Sequence, residues 1–219
     1  MDKTLKTKIK YDQNALFYDL FELPVEKLLY SKWRKKYFSP LKGKILDVGI
    51  GTGKNIDYYS DEAEVTGIDF SPKMLEKSRK KLAKSGKENI TLMQMDVENL
   101  NFDDNSFDYV ITSSVFCSVP DPIKGLKEVR RVLKPEGKLI MIEHVLSKNK
   151  FISLLENLFN SIVRFFPGVN INRDTGQNII KSGMEVIEEK NLAMVDVFRL
   201  FKAKKHNNFI NLNKNRRND

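Results

Sequence analysis

Between Ile45 and Asn55 the chain reads ILDVGIGTGKN, and this stretch gathers residue types suited to holding a nucleotide-like ligand. Ile45 to Val48 have the composition of a short buried strand, with Asp47 near its carboxyl end and Gly49, Gly51 and Gly53 following at alternate positions. Glycine there lets the backbone turn sharply and approach a ligand without a Cβ in the way. A helix is expected from Lys54. Strand, turn and helix in that order put a ligand at the carboxyl edge of an open α/β sheet. Asp69 ends the next expected strand, 22 residues after Asp47. A carboxylate at that place accepts hydrogen bonds from two ribose hydroxyls. Asp96, in QMDVENL, follows the third strand. It can accept from an adenine amino group while the Val97 amide donates to the ring. A dinucleotide site asks for G-x-G-x-x-G; here the order is G-I-G-T-G, and the third glycine comes one residue early.

The elements that must position these residues alternate. Strands are expected at Lys44 to Val48, Glu64 to Ile68, Ile90 to Met95, Tyr109 to Thr112 and Lys138 to Glu143, and helices at Lys54 to Tyr59, Pro72 to Ser85 and Pro122 to Leu133. KPEG, Lys134 to Gly137, reads as a turn. Short links between alternating strands and helices argue for a doubly wound, mainly parallel α/β sheet. Ahead of it, residues 1–40 are expected to form a basic arm and a helical lid, with helices over Tyr11 to Phe21 and from Pro24 through Tyr37. The main domain is expected over 41–203. It closes with an apolar helix at Phe151 to Phe166, a short helix at Asp174 to Ser182 stopped by Gly183, and strands near Met184 to Glu188 and Val195 to Lys202. Residues 204–219 are Asn- and Lys-rich, a basic tail expected to be disordered.

The 219 residues suffice for one such domain with a full core. No apolar run reaches the roughly 20 residues of a membrane-spanning helix, and the basic start lacks the apolar region of a secretory signal. One cysteine, Cys117, excludes an internal disulfide and suits a reducing cytoplasm. Net charge is +9, concentrated at Lys3 to Lys10, Lys32 to Lys36, Arg79 to Lys87 and Lys202 to Arg217. Such a surface suits an anionic membrane or simple solvation. No zinc-finger, RNP or helix-turn-helix pattern points to a specific nucleic acid, and no metal cluster is visible.

At the level of whole segments the chain resembles the class I S-adenosylmethionine-dependent methyltransferases. LDVGIGTGKN, VTGIDFSPKML, MDVENLNFDDNSFDYVI and GLKEVRRVLKPEGKLIMIEH carry the resemblance, in order, over about Lys44 to His144. It implies a Rossmann-like sheet of seven strands, the last antiparallel, and S-adenosylmethionine as cofactor. It also implies roles. Asp47 would hold the methionine amino group, and Gly49 and Gly51 would let the backbone pass under the methionyl part. Asp69 would take the ribose, Phe70 and Met74 would flank the adenine, and Asp96 and Val97 would read its edge. A backbone oxygen near Ser113 would meet the ammonium group.

FCSVPDP (Phe116 to Pro122), EHVLS (Glu143 to Ser147), NINRDTGQNIIKSG (Asn170 to Gly183) and YDQNALFYDL near the start are similar to one branch of this class. That branch holds soluble bacterial phosphatidylethanolamine N-methyltransferases and the related membrane-associated thiol methyltransferases of animals; quinone C-methyltransferases share part of the pattern. The expected acceptor is a phospholipid head-group amine, with a small thiol or quinone-like acceptor as the alternative. The expected location is cytoplasmic, with peripheral contact at the inner face of the membrane. An amine attacks only as the free base, and His144, with an unperturbed pKa near 6.5, is a candidate base, unless it only bonds at the strand end. Tyr18 is a candidate for lining the acceptor pocket, or belongs to a helix core. Arg173 is a candidate for holding a phosphate, or pairs with Asp174. Phe151 to Phe166 either lies in a membrane interface or covers the sheet.

Overall fold

The computed structural model describes residues 29–165, 170 and 172–206. Its elements run α1 Ser31–Tyr37, β1 Gly43–Val48, a 3-10 turn at Ile56–Tyr58, β2 Ala63–Asp69, α2 Pro72–Ser85, β3 Ile90–Gln94, β4 Phe107–Ser113, α3 Pro122–Val132, β5 Leu133–His144, α4 Lys150–Phe165, α5 Thr175–Lys181, β6 Met184–Ala193 and β7 Phe198–Lys205. The seven strands form one sheet in the order β3-β2-β1-β4-β5-β7-β6. The first five pair in parallel, and β7 runs antiparallel between β5 and β6. This is the expected seven-stranded Rossmann-like architecture. After β1 the chain winds outward through β2 and β3, then returns to place β4 on the other side of β1. The carboxyl ends of β1 and β4 therefore flank the point where winding reverses, the usual ligand crevice of such sheets.

Parallel strands covered on both faces read as continuous apolar runs, and β1 obeys this. Leu46 and Val48 enter one core with Leu126 and Val129 of α3. Ile45 enters the other with Phe38, Trp33 of α1 and Leu75 of α2. The helix ends are set locally. Ser71 Oγ accepts from the Met74 amide at 3.2 Å, Pro72 occupies the first turn, and Gly86 closes α2 at φ 67°. Asp121 caps α3 in the same way, with its carboxylate on the Lys124 amide at 3.0 Å.

Several expected boundaries need correction. The helix expected over Lys54 to Tyr59 is only the three-residue 3-10 turn, because Asn55 and Tyr59 send their side chains inward to Asp47. KPEG does not separate α3 from β5 but bulges inside the strand: Phe107 pairs with Leu133 and Tyr109 with Lys138, so three extra residues loop out of β5. The last two strands run to Ala193 and Lys205, past the expected ends and past the expected domain boundary at 203. Their turn sits at 194–197 instead of before Val195, with Met194 and Val195 both at positive φ. The expected helix at Tyr11 to Phe21, the start of the second helix at Pro24, Tyr18 and most of the tail lie outside the described residues.

Candidate active site

β1 ends at the glycine turn. The Gly49 and Ile50 amides both donate to the Ile68 carbonyl, at 2.8 and 3.0 Å, which ties the turn to the end of β2. Gly49 has φ 69°, and a Cβ there would come 2.6 Å from Val115 Cγ2. Gly51, at φ 59°, differs: a Cβ there would meet nothing nearer than the Gly49 carbonyl at 3.9 Å. The space beside Gly51 belongs to a cleft, not to packing.

That cleft has a volume of about 720 Å³ and is mostly apolar, with Val48, Ile68, Met74, Met95, Val97 and Val119 among its walls. Gly49, Gly51, Asp69, Phe70, Met74, Asp96, Val97 and Ser113, all expected at a cofactor site, line it together. A smaller polar lobe of about 420 Å³ adjoins it across Gly49, Gly51, Ser113 and Ser114, and is walled by Tyr30, Arg34, Thr52, Lys54 and Asn55. Asp69 is held by backbone: Oδ2 accepts from Gly51 N at 3.0 Å and Oδ1 from Ser71 N at 2.8 Å. Asp96 Oδ1 accepts from Glu98 N at 2.9 Å. Both carboxylates are thereby fixed in orientation at the rim.

Asp47 lies beneath the polar lobe, fully buried. Its Oδ2 accepts from Asn55 Nδ2 at 2.8 Å and from the Tyr59 hydroxyl, while Oδ1 has no partner among the described residues. Burial pushes its pKa up to about 6, against the pull of the Tyr59 and Asn55 hydrogen bonds and the nearby Arg34. Burial and Asp47 together hold Tyr59 well above the ordinary phenol range, so it stays a donor. Asn55 Oδ1 in turn accepts from Arg34 Nε. Arg34 reaches from α1 across the lobe, with Nη2 3.5 Å from Ser113 Oγ and its guanidinium 5.1 Å from the Tyr30 ring. Ser114, bonded to the Tyr30 hydroxyl, is a non-glycine residue at φ 56°, a strained backbone placed where the lobes meet.

Glu143 organises the opposite wall. It is fully buried at the end of β5 and accepts from Thr112 Oγ1 at 2.7 Å and from the Val115 and Phe116 amides at 3.2 Å. Burial raises its pKa to about 7 despite those donors. Cys117, next in that loop, is buried, with its thiol pushed up to about 12 by burial and Glu143, which fits a small packed residue and not a thiolate.

The two acceptor-side stretches meet. Asn170 gives its amide and its side-chain Nδ2 to the Cys117 carbonyl at 2.9 and 3.2 Å, and Arg173 Nη2 donates to the Val119 carbonyl at 2.9 Å. His144 ends β5 with its ring edge-on to Phe198, centroids 5.4 Å apart. Of the described residues, those lining the cleft do not include His144 or Arg173. Sequence reasoning missed Tyr30, Arg34, Asn55, Tyr59 and the role of Glu143. Arg34 was hidden in a basic run that reads as surface; its place beside Trp33, on the apolar face of α1, is the signal that it turns inward.

A family model described as a methyltransferase domain matches residues 46–141, a span that runs from within β1 to within β5 and includes the rim carboxylates Asp69 and Asp96. The matched span, in this sheet, has the sequence and fold of a class I S-adenosylmethionine-dependent methyltransferase domain. The phosphatidylethanolamine N-methyltransferase of Cereibacter sphaeroides is 39% identical over 103 residues, 47% of this chain and 51% of that protein. The demethylmenaquinone methyltransferase of Staphylococcus epidermidis is 44% identical over 119 residues, 51% of this chain and 48% of that protein. The chain thus spans about half the length of the curated relatives it matches. Among solved structures, phosphoethanolamine N-methyltransferase 2 of Haemonchus contortus, in complex with S-adenosyl-L-methionine, shares the fold at a TM-score of 0.63 and 19% identity, over 78% of this chain and 50% of that one. The residues of this methyltransferase domain fit the cofactor: the space at Gly51 is open, one buried oxygen of Asp47 awaits a donor, and rigid acceptors stand at Asp69 and Asp96.

Proposed function

We propose that the chain methylates the head-group amine of a phospholipid, phosphatidylethanolamine, at a membrane surface. The observation that supports the acceptor is the joining of two stretches beside the cleft, where Asn170 is bonded to the Cys117 carbonyl and Arg173 to that of the cleft-lining Val119. Both stretches resemble the branch that holds phosphatidylethanolamine and thiol methyltransferases, and the Cereibacter relative carries the former name.

S-adenosylmethionine, when bound, supplies an electrophilic methyl group on a sulfonium centre. The protein's share is to bind, orient and exclude water. In this reading Asp69 accepts from the ribose hydroxyls, Asp96 and Val97 meet the adenine edge, and Phe70 and Met74 flank the ring. The polar lobe would hold the methionyl part, with Asp47, buried beneath it, and the Ser113 carbonyl available to the ammonium group and Arg34 to the carboxylate. Gly49 and Gly51 keep the floor low. Glu143 has the pKa of a general base but not its access: it is sealed and spends both oxygens on the 112–116 segment. It shapes the wall. His144 does not line the cleft, so the released proton would pass to solvent or reach His144 only through water, and Tyr18, the other candidate, lies outside the described residues. Arg173 acts as a positioning residue beside the cleft, not as a phosphate clamp.

Methylation of a quinone ring carbon is the second reading, favoured by the Staphylococcus relative. Radiolabelled cofactor offered with phosphatidylethanolamine vesicles, and separately with a demethylated quinone in detergent, decides between them. Label in the lipid supports the proposal. Label only in the quinone overturns it.

A further inference from the structure

Helix α4 is turned the wrong way for a core helix. Phe151, Leu154, Leu155 and Leu158 recur at helical spacing along one face, and they are 70%, 64%, 38% and 67% exposed. Among the described side chains of the helix the buried one is Glu156, with Ile152, one turn before it, half-buried. Glu156 Oε2 accepts from the Ser147 amide at 2.8 Å, and burial with Asp196 nearby raises its pKa. Glu156 thus anchors the helix, and four of its large apolar side chains, Phe151, Leu154, Leu155 and Leu158, are turned outward instead of onto the sheet.

The turn between β6 and β7 adds to the same surface. Met194 and Val195 are 64% and 69% exposed, and both sit at positive φ, 50° and 64°. Bulky, β-branched Val195 is poorly suited to that conformation. The turn is fastened below by Asp196, which accepts from Ser147 Oγ and from the Lys148 amide and pairs with Arg199 at 2.8 Å. Ser147 joins the two halves of the patch, since its amide goes to Glu156 and its hydroxyl to Asp196. The apolar helix face and the turn tip are therefore parts of one rigid edge.

Charge marks what covers this edge. Lys150 and Lys190 stand exposed on the segments that carry it, and Lys148, also exposed, is paired with Glu189. The acid among them, Glu189, is already engaged by Lys148 at 2.9 Å and Arg199 at 3.0 Å. An apolar face rimmed by cations is the pattern of a helix lying in an anionic lipid interface. The position agrees as well. The end of β5, the start of β7 and the 194–197 turn all lie at the carboxyl edge of the parallel strands, where the cofactor cleft opens.

We infer that the α4 face and the Met194–Val195 turn form one membrane-docking edge that inserts into an anionic phospholipid surface and brings the lipid acceptor to the cleft. This rests on the phospholipid reading above. The test is flotation of the full chain with phosphatidylglycerol–phosphatidylcholine vesicles and with phosphatidylcholine alone, for the wild type, the double variant Leu154→Asp/Leu158→Asp, and Val195→Asp. Each is also assayed for its cofactor-induced rise in melting temperature and for methyl transfer to a short-chain, water-soluble phosphatidylethanolamine.

The wild type should float with the anionic vesicles, and each variant should lose at least tenfold of its bound fraction. Both variants should keep the melting shift and the transfer to soluble lipid. Variants that float like the wild type, or a wild type that does not float, overturn the docking edge. A wild-type dimer in light scattering that the variants break without lipid also overturns it, because the face then joins two copies. Failure of the wild type to methylate the soluble lipid defeats the phospholipid reading separately, whatever the flotation result.

Discussion

Asp47 carries a conflict between stability and binding that can be measured. Its carboxyl pKa in the folded chain is about 6, against 3.8 for the free group. The folded state therefore holds the proton more tightly than the unfolded state. The sign follows: this group's contribution is fully favourable below pH 3.8 and is lost as pH rises through about 6. At pH 7 the buried charge costs on the order of 3 kcal/mol. Asp47→Asn keeps the acceptor for Asn55 and Tyr59 and removes the charge, so the variant should melt at a higher temperature at pH 7. It should also bind S-adenosylmethionine at least tenfold more weakly, since the ammonium group loses its anion. Calorimetry and thermal melts on one preparation check both; a variant that is more stable and binds normally removes Asp47 from the site. For the same reason wild-type affinity should rise between pH 5 and 7 and then level off. Arg34→Met, which removes a cation that lowers the Asp47 pKa, should move that rise to higher pH.

Glu143 shows the same physics acting on elements instead of on a ligand. One carboxylate fastens β5 to Thr112 at the end of β4 and to two amides of the loop that walls the cleft. Its pKa, about 7 against 4.5 for the free group, means that stability drains as pH rises through 7. Glu143→Gln should flatten the fall in denaturant midpoint between pH 6 and 8, whereas Glu143→Ala should lose on the order of 3 kcal/mol by stranding three donors. An unchanged pH slope in the Gln variant would show that the charge is not felt there. Elements with local signals were legible in the sequence. Pro72 with Gly86, and Asp121 with Pro122, bound α2 and α3 within a residue of expectation because cap and proline act on the backbone beside them. The helix after Gly53 was not legible. Its Asn55 and Tyr59 are ordinary helix residues until Asp47, across the turn, claims them. The KPEG bulge was misread because a turn and a strand bulge share the same local need for glycine: a Cβ on Gly137 would come 3.0 Å from Lys134 N and O, and only the third contact, the Phe107 carbonyl at 3.0 Å, belongs to the neighbouring strand.

At the scale of the molecule, the sequence spacing of Asp47, Asp69 and Asp96 announced a nucleotide site because the three strands that carry them end at one edge. It could not announce Arg34, which reaches that edge from outside the matched 46–141 span, or the outward face of α4, whose apolar period fits a core equally well. Joining distant elements in one cleft makes cofactor binding a property of the whole fold, and this sets its thermal signature. A ligand that binds only the folded state stabilises it by about 2.7 kcal/mol at a hundred times its dissociation constant. For a domain of roughly this size each kcal/mol moves the melting temperature by about 2–4 °C. S-adenosylmethionine at that excess should therefore raise the melting temperature by about 5–11 °C. NAD at the same concentration should leave it unchanged, because the early third glycine and the buried Asp47 carboxylate beneath the lobe suit a methionyl ammonium group and not a pyrophosphate. Asp69→Ala should abolish the S-adenosylmethionine shift while melting, without ligand, within a few degrees of the wild type. An equal shift with NAD would reassign the cleft. A shift that survives in Asp69→Ala would place the ribose elsewhere and break the link between Gly51, Ser71 and the cofactor on which the site is built.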